Sequence, residues 1–248
     1  MSAQDQFGQI DPNRVLDDTY FNNFGLSTAS SMREKIIAVT IDDIGRVGPT
    51  SFNAKFTCEA LGITPSLVNH HFGSRDELIA EATLFCYRTY VGLMWQAVLA
   101  GPQNPKGRLR TWIETSIEWT GRMAGWGPIL NYPTSSMEIT KIIDSKYRYE
   151  MTNWAELNLA RLVTLVGDVR RDRISTADFE FGQVPRLRLL KDPRVVALSA
   201  SIGWSTLGIA TWKAGRHLPS GAIKEVGLLE KQIMKSHIDR LIDQISKD

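Results

Sequence analysis

Cysteine is nearly absent: the 248-residue chain has two, Cys58 and Cys86, in no C-x-x-C spacing. That pattern excludes a disulfide framework and reads as two small core residues of a reducing compartment. Histidine is also scarce, with His70, His71, His217 and His237 the full set. No H-E-x-x-H, metal-spaced Cys/His cluster, G-x-S-x-G elbow or Gly-rich phosphate loop occurs, and His70 and His71, as neighbours on a helix, point away from one another rather than chelating. No metal, no cofactor and no enzymatic activity are therefore expected. Charge of one sign is lacking too, since 29 Lys and Arg face 27 Asp and Glu for a net +2, so gross electrostatics names no partner. A long apolar run is missing: the uncharged stretch 195–212 holds three serines, two threonines and two glycines, which favours a buried interface helix over a membrane span. The first residues, MSAQDQFGQIDPNR, lack the apolar core of a secretory signal.

What is present is a soluble, foldable composition, 43% hydrophobic and 23% charged, in a chain long enough for one large domain or two modest ones. Residues 1–29 carry Asp5, Asp11, Asp17 and Asp18 against Arg14 and are expected to be a flexible N-terminal arm. Ser31 and Glu34 form a capping box for a first helix to about Ile44, with Ile37, Ile41 and Ile44 on its buried face. Gly45 and Gly48-Pro49 end it, and Thr50 or Ser51 is expected to cap a second helix that buries Ala54, Cys58 and Leu61.

The run ALGITPSLVNHHF, residues 60–72, organises this region. Gly62 suits the left-handed residue that ends a helix, Thr64 the N-cap of the next, and Pro65 its first position, where the missing donor costs nothing. Two helices across so short a turn read as a helix-turn-helix. Ser66, Leu67, Asn69 and His70 remain to face outward, a surface able to lie in a major groove. Gly73 breaks the chain, and Ser74 with Glu77 starts a long fourth helix through Leu78, Ala82, Phe85, Tyr90 and Leu93 toward Ala100.

The order of capped helix, Gly-Pro-Thr turn, helix ending ALGI, TPSLVNHHF and GSRDELIAEA resembles the N-terminal domain of TetR-type transcriptional regulators. The usual family run Gly-Val-Ser-Lys-Gly-Thr-Leu-Tyr-His-Tyr-Phe aligns without gaps on Gly62 to Phe72, and a Lys-Glu-Glu-Leu-like start follows on Ser74 to Leu78. The likeness covers about residues 31–80. Asn69 stands where the family usually has Tyr, Leu67 replaces a small or hydroxyl residue and Pro65 a frequent Lys, so the operator sequence does not carry over. The resemblance implies an all-α chain, with a three-helix helix-turn-helix DNA-binding domain at 30–80 followed by a helical ligand-sensing and dimerisation domain at 81–248. It implies a bacterial, cytoplasmic repressor that acts as a homodimer on double-stranded operator DNA. A small, largely apolar effector would release it by shifting the fourth helix and with it the spacing of the two reading heads.

The DNA-facing set is expected to comprise Thr50, Ser51, Lys55, Thr64, Pro65, Ser66, Leu67, Asn69, His70, His71 and Arg75. By resemblance Thr64, Ser66, His70 and His71 mix phosphate and base contacts and Arg75 holds a phosphate. Asn69 has the chemistry to read adenine and Leu67 to touch a thymine methyl. Between Met32 and Ala80 five cations meet six acids, a balance that predicts weak binding by one domain and a need for two.

Beyond residue 80 the chain reads as helices. GPQNPKGR, 101–108, is expected to be a connector. Trp95, Trp112, Trp119, Met123, Trp126, Met137, Tyr147 and Trp154 supply an aromatic lining for an apolar cavity, or an ordinary core. The Arg-dense 170–194 reads as a solvated loop. Ser199, Gly203, Thr206 and Ala210 form a small-residue stripe that, with Ile233 and Leu241 of the last amphipathic helix, suits either a twofold four-helix bundle or packing within the chain. A reading of another class stays open: a helical small-molecule-binding or protein-interaction protein of the same fold without specific operator binding.

Overall fold

Capping chemistry and apolar periodicity set the helix boundaries, and they can be followed in a computed structural model. It describes residues 14–48, 51–122, 137–176, 179–184, 191–214 and 223–247, with backbone alone at 120–122, 210–214, 223–231 and 247. The described residues are helical or irregular and hold no strand; the protein is all-α. Among them no helix is long and apolar enough to cross a membrane, and the uncharged stretch 195–212 lies within the helix Pro193–Ala214. The chain divides into two compact units, Met1–Thr89 with Thr120–Met151 and Tyr90–Trp119 with Thr152–Asp248. The boundary expected at residue 80 falls within the first of these units.

In the first unit α1 (Asp18–Asn22) precedes α2 (Met32–Val47), α3 (Ala54–Leu61) and α4 (Pro65–Phe72). The capping box of α2 forms as expected: Ser31 accepts from the Glu34 amide while the Glu34 carboxylate accepts from the Ser31 amide, an arrangement that stabilises by about 1 kcal/mol. Ile36, Ile37, Ile41 and Ile44 are buried along it. The start of α3 differs from expectation. Asn53, not Thr50 or Ser51, is its N-cap, accepting from the Lys55 amide at 3.0 Å. Ser51 lies exposed in the preceding turn, Phe52 is buried, and Thr50 falls outside the described residues. Thr57 and Cys58 are buried on α3, while Ala54 and Leu61 are half-buried.

Residues 14–29 correct the expectation of a flexible arm. Phe21 and Phe24 are each 2% exposed, burial that contributes roughly 1.5–3 kcal/mol per ring. Tyr20 donates to Asp42 at 3.2 Å, and Asp18 accepts from the Thr28 amide at 2.6 Å, which holds its carboxyl below the usual range. Residues 1–13 lie outside the described set.

The long helix α5 (Arg75–Ala100) starts where Ser74 accepts from the Glu77 amide at 3.1 Å. The reciprocal half of that capping box is replaced, since the Glu77 carboxylate pairs with Lys146. Leu78, Ala82, Phe85 and Cys86 are buried on it, and burial pushes the Cys86 thiol well up. Both cysteines are free. Helix α6 (Pro105–Arg122) begins inside the expected connector, with Asn104 accepting from the Gly107 amide at 2.8 Å and Pro105 at the first position. Helix α7 (Met137–Ile142) passes through a π-helical turn, Ile143–Tyr147, into α8 (Arg148–Arg171). Helices α9 (Pro193–Ala214) and α10 (Ile223–Lys247) complete the second unit. Its core holds Trp112, Ile113 and Ile117 of α6, Leu157, Leu165 and Val166 of α8, Ile202 of α9 and Ile238, Ile242 and Ile245 of α10.

Candidate nucleic-acid interface

Helices α3 and α4 are joined by Gly62, which sits in the left-handed region at φ 63°. Its amide and that of Ile63 turn back onto the end of α3, at the carbonyls of Glu59 and Cys58. Thr64 then caps α4 by accepting from the Leu67 amide at 3.3 Å, with Pro65 at the first position. The two helices therefore meet across a turn fixed by three adjacent residues. Val68 and Phe72, each 3% exposed, anchor α4 inward, and the Arg33 guanidinium lies 4.9 Å from the Phe72 ring centre. Thr64, Pro65, Ser66, Asn69 and His70 are exposed, and Leu67 and His71 half-buried. The outward face of α4 thus offers hydroxyl, amide and imidazole groups.

That helix carries no acid, and most acids near it are already engaged. Asp43 is fully buried on α2, Asp42 pairs with Arg14 and Arg46, Glu34 serves the capping box, and Asp76 pairs with Arg75. The near-neutral count of the sequence therefore overstates the negative charge facing a partner. One of the two expected cations is engaged as well. Arg75 donates through Nε to the Phe52 carbonyl at 2.9 Å and through Nη1 to Asp76 at 2.9 Å, which ties its guanidinium to the turn ahead of α3 instead of leaving it extended toward a phosphate. Lys55, at 71% side-chain exposure, has only Glu59 at 3.5 Å and remains the outward cation of α3.

In the same unit the π-helical turn sets Tyr147 and Lys146 against α5. The Tyr147 hydroxyl donates to Glu81 at 2.8 Å, burial and that carboxylate together pushing its pKa up. Glu81 also receives Arg33 at 2.5 Å. Tyr147, expected in an apolar cavity, is thus a hydrogen-bonding anchor of α5, and Met137 is 71% exposed.

In the second unit the remaining aromatics are core residues. Trp95, Trp112 and Trp119 are 7%, 2% and 9% exposed. The Arg161 and Arg108 guanidiniums stand 4.7 and 5.6 Å from the Trp95 ring centre. Arg108, nearly buried, in turn lies 3.8 Å from the buried Asp168. Trp119 packs on Tyr90 at 5.3 Å, and Trp154, half-buried, stacks on Phe181 at 4.6 Å. Met123 and Trp126 lie outside the described residues. A cavity of about 670 Å³ opens between α6 and α10, with Ile117, Met234 and Ile238 as apolar lining and Arg110, Glu114, Glu118 and Lys235 at its charged groups. Sequence reading missed it because attention fell on the tryptophans of α6 and not on its charged residues Arg110, Glu114 and Glu118.

The small-residue stripe of α9 also lies differently from expectation. Ser199 and Thr206 are 0% and 2% exposed within the single chain, and a Cβ on Gly203 would meet Leu162 of α8 at 3.8 Å. Ser199 and Thr206 are thus buried within the chain, and Gly203 lies beside α8. Ala210 lies in the stretch described by backbone alone. The exposed stripe of α9 is the neighbouring one, Ala197, Ser201, Trp204 and Gly208, with Leu207 beside it. Trp204 is 76% exposed, a residue sequence reading passed over although a tryptophan amid small residues was visible there. On α10 Ile233 is 60% exposed and Leu241 half-buried.

Comparison of the chain with protein-family models, curated proteins and solved structures finds no match.

Proposed function

We propose that this protein is a ligand-responsive, DNA-binding transcriptional regulator of the TetR type, acting as a homodimer and released from its operator by a small effector. In this reading α2 to α4 form the helix-turn-helix reading head and α4 enters the major groove. The observation that carries it is α4 itself. A short helix is held at a fixed angle by Gly62, Thr64 and Pro65, anchored by Val68 and Phe72, and left with Ser66, Asn69 and His70 outward. Such a face suits base edges: Asn69 has the amide geometry to pair with adenine, and Thr64 and Ser66 the hydroxyls for phosphate. Leu67, half-buried, retains a thymine-methyl contact only at its edge.

The paired acids of the head remove an objection raised by its neutral charge count, but few cations remain free to neutralise phosphate. Affinity then depends on two heads bound together. The exposed stripe of α9 around Trp204 supplies an apolar face for the second copy, since exposed aromatic anchors among small residues suit a closely packed interface. The cavity between α6 and α10 has the size and apolar floor of a small-molecule site.

The test is selection from a pool of randomised DNA duplexes by the full chain, followed by gel-shift titration of the enriched duplexes at two salt concentrations. The expected result is enrichment of one sequence whose binding weakens as salt rises. A pool that stays random after repeated rounds would leave the alternative, a helical ligand-binding protein of the same fold without an operator.

A further inference from the structure

We propose that Arg14 is a positioning residue of the reading head, holding α3 in place through Asp43 and Thr57; the DNA side of this inference rests on the function proposed above. The geometry is a relay across three segments of the first unit. Asp43 lies on α2 with its side chain fully buried. One carboxylate oxygen, Oδ1, takes the Arg14 guanidinium at 2.6 Å, and the other, Oδ2, accepts from the Thr57 hydroxyl on α3 at 2.8 Å. Thr57 Oγ1 also lies 3.4 Å from Thr40 of α2. Arg14 is itself 8% exposed and reaches Asp42 at 3.6 Å.

A carboxylate in such a place is costly unless a counter-charge accompanies it. Within α2 to α4 none does. The cations of those helices go elsewhere: Arg46 to Asp42, Arg33 to Glu81, Lys35 to the Thr28 carbonyl and Lys55 to Glu59. The charge that makes Asp43 tolerable comes from the segment ahead of α1, tied down by Tyr20 on Asp42 and by buried Phe21 and Phe24. Burial still pushes the Asp43 carboxyl up against the pull of Arg14 and Thr57. Without Arg14 the group either keeps an uncompensated charge or takes up a proton. Both outcomes weaken its hold on Thr57, and α3 is the helix whose C-terminal turn at Gly62 sets the angle of α4. Residues 14–29 are therefore a strap belonging to the head, and a reading head drawn as 30–80 omits its counter-charge.

The test is amide hydrogen exchange on the full chain, with binding of the enriched duplex measured in parallel. Arg14→Met keeps most of the stem and removes the charge. It is predicted to speed exchange across Ala54–Leu61 by about tenfold or more, the loss of a buried pair being felt first as local opening, while Pro193–Ala214 stays unchanged. Arg14→Met combined with Asp43→Asn removes the charge and keeps an acceptor for Thr57, so protection of α3 recovers. Duplex affinity is predicted to fall and recover in the same order, with the preferred sequence unaltered. Exchange in α3 that stays at the wild-type rate in Arg14→Met, or a double variant no better than the single, would overturn the proposal. Should Arg14→Met fail to fold, Asp43→Asn alone decides: it is predicted to loosen residues 15–29 while α3 stays protected, and loss of protection in both or in neither contradicts the relay. Failure of the wild-type chain to select any duplex would sink the DNA reading, while the exchange data would still decide the strap.

Discussion

Helices α4 and α9 wear their residues in opposite senses. On α4 the apolar groups Val68 and Phe72 point inward and Ser66, Asn69 and His70 are exposed. On α9 Ser199 and Thr206 are buried while Trp204 stands 76% exposed. A polar outward face needs no partner for stability and so is free to serve recognition. An exposed tryptophan is a loss until something covers it. In the proposed reading the two helices therefore take different partners: nucleic acid for α4, a second copy of the chain for α9.

The comparison breaks most easily at Trp204. Trp204→Glu should cost about 2 kcal/mol or more of association, the range of a buried aromatic anchor. Sedimentation equilibrium should show a shift from dimer to monomer with little change in the monomer's unfolding temperature; an intact dimer would mean that another face pairs. Ser199→Leu should act in the opposite way. It overfills a fully buried position and should lower stability by about 1–3 kcal/mol, read as a lowered unfolding temperature, without selectively dissociating the dimer. Asn69→Ala should leave folding untouched and weaken the enriched duplex by about 1–3 kcal/mol relative to random DNA. Equal loss on both DNAs would remove base reading from that residue. Smallest is Lys55→Ala, predicted to weaken all duplexes alike and to lower the slope of log affinity against log salt by about one.

The starts of α2 and α4 and the end of α3 were legible because their chemistry is local: Ser31 meets Glu34, and Thr64, Pro65 and Gly62 act within a turn, whereas α2 runs on through Gly45, expected to end it, to Val47. The same signal was available at Asn104-Pro105, an N-cap followed by proline as in Thr64-Pro65. It was masked by the surrounding glycines and prolines, which read as a connector. At α3 several capping residues compete, and the burial of Phe52 selects Asn53 over Ser51, a tertiary effect that no local pattern contains. The strap was beyond reach for a similar reason. Arg14 and Asp43 are far apart along the chain, and an isolated arginine among aspartates reads as part of a solvated tail. On α9 the small-residue stripe correctly announced a close approach, but periodicity cannot say whether the approaching helix belongs to the same chain. Leu162, near Gly203, answers that. The proposed effector site was least legible, since Trp95, Trp112 and Trp119 are buried in the core and the cavity between α6 and α10 is bordered by charged residues.

The central claim joins the two helices: α4 reads DNA, and α9 pairs two chains so that two copies of α4 read together. Hydroxyl-radical footprinting of the full chain on the enriched duplex tests both at once. The account predicts two protected patches related by a twofold axis and separated by about one helical turn, 34 to 36 Å, or a multiple of it, with Trp204→Glu losing both patches at concentrations that saturate the wild type. A single patch unaffected by Trp204→Glu, or no protection at all, would contradict it.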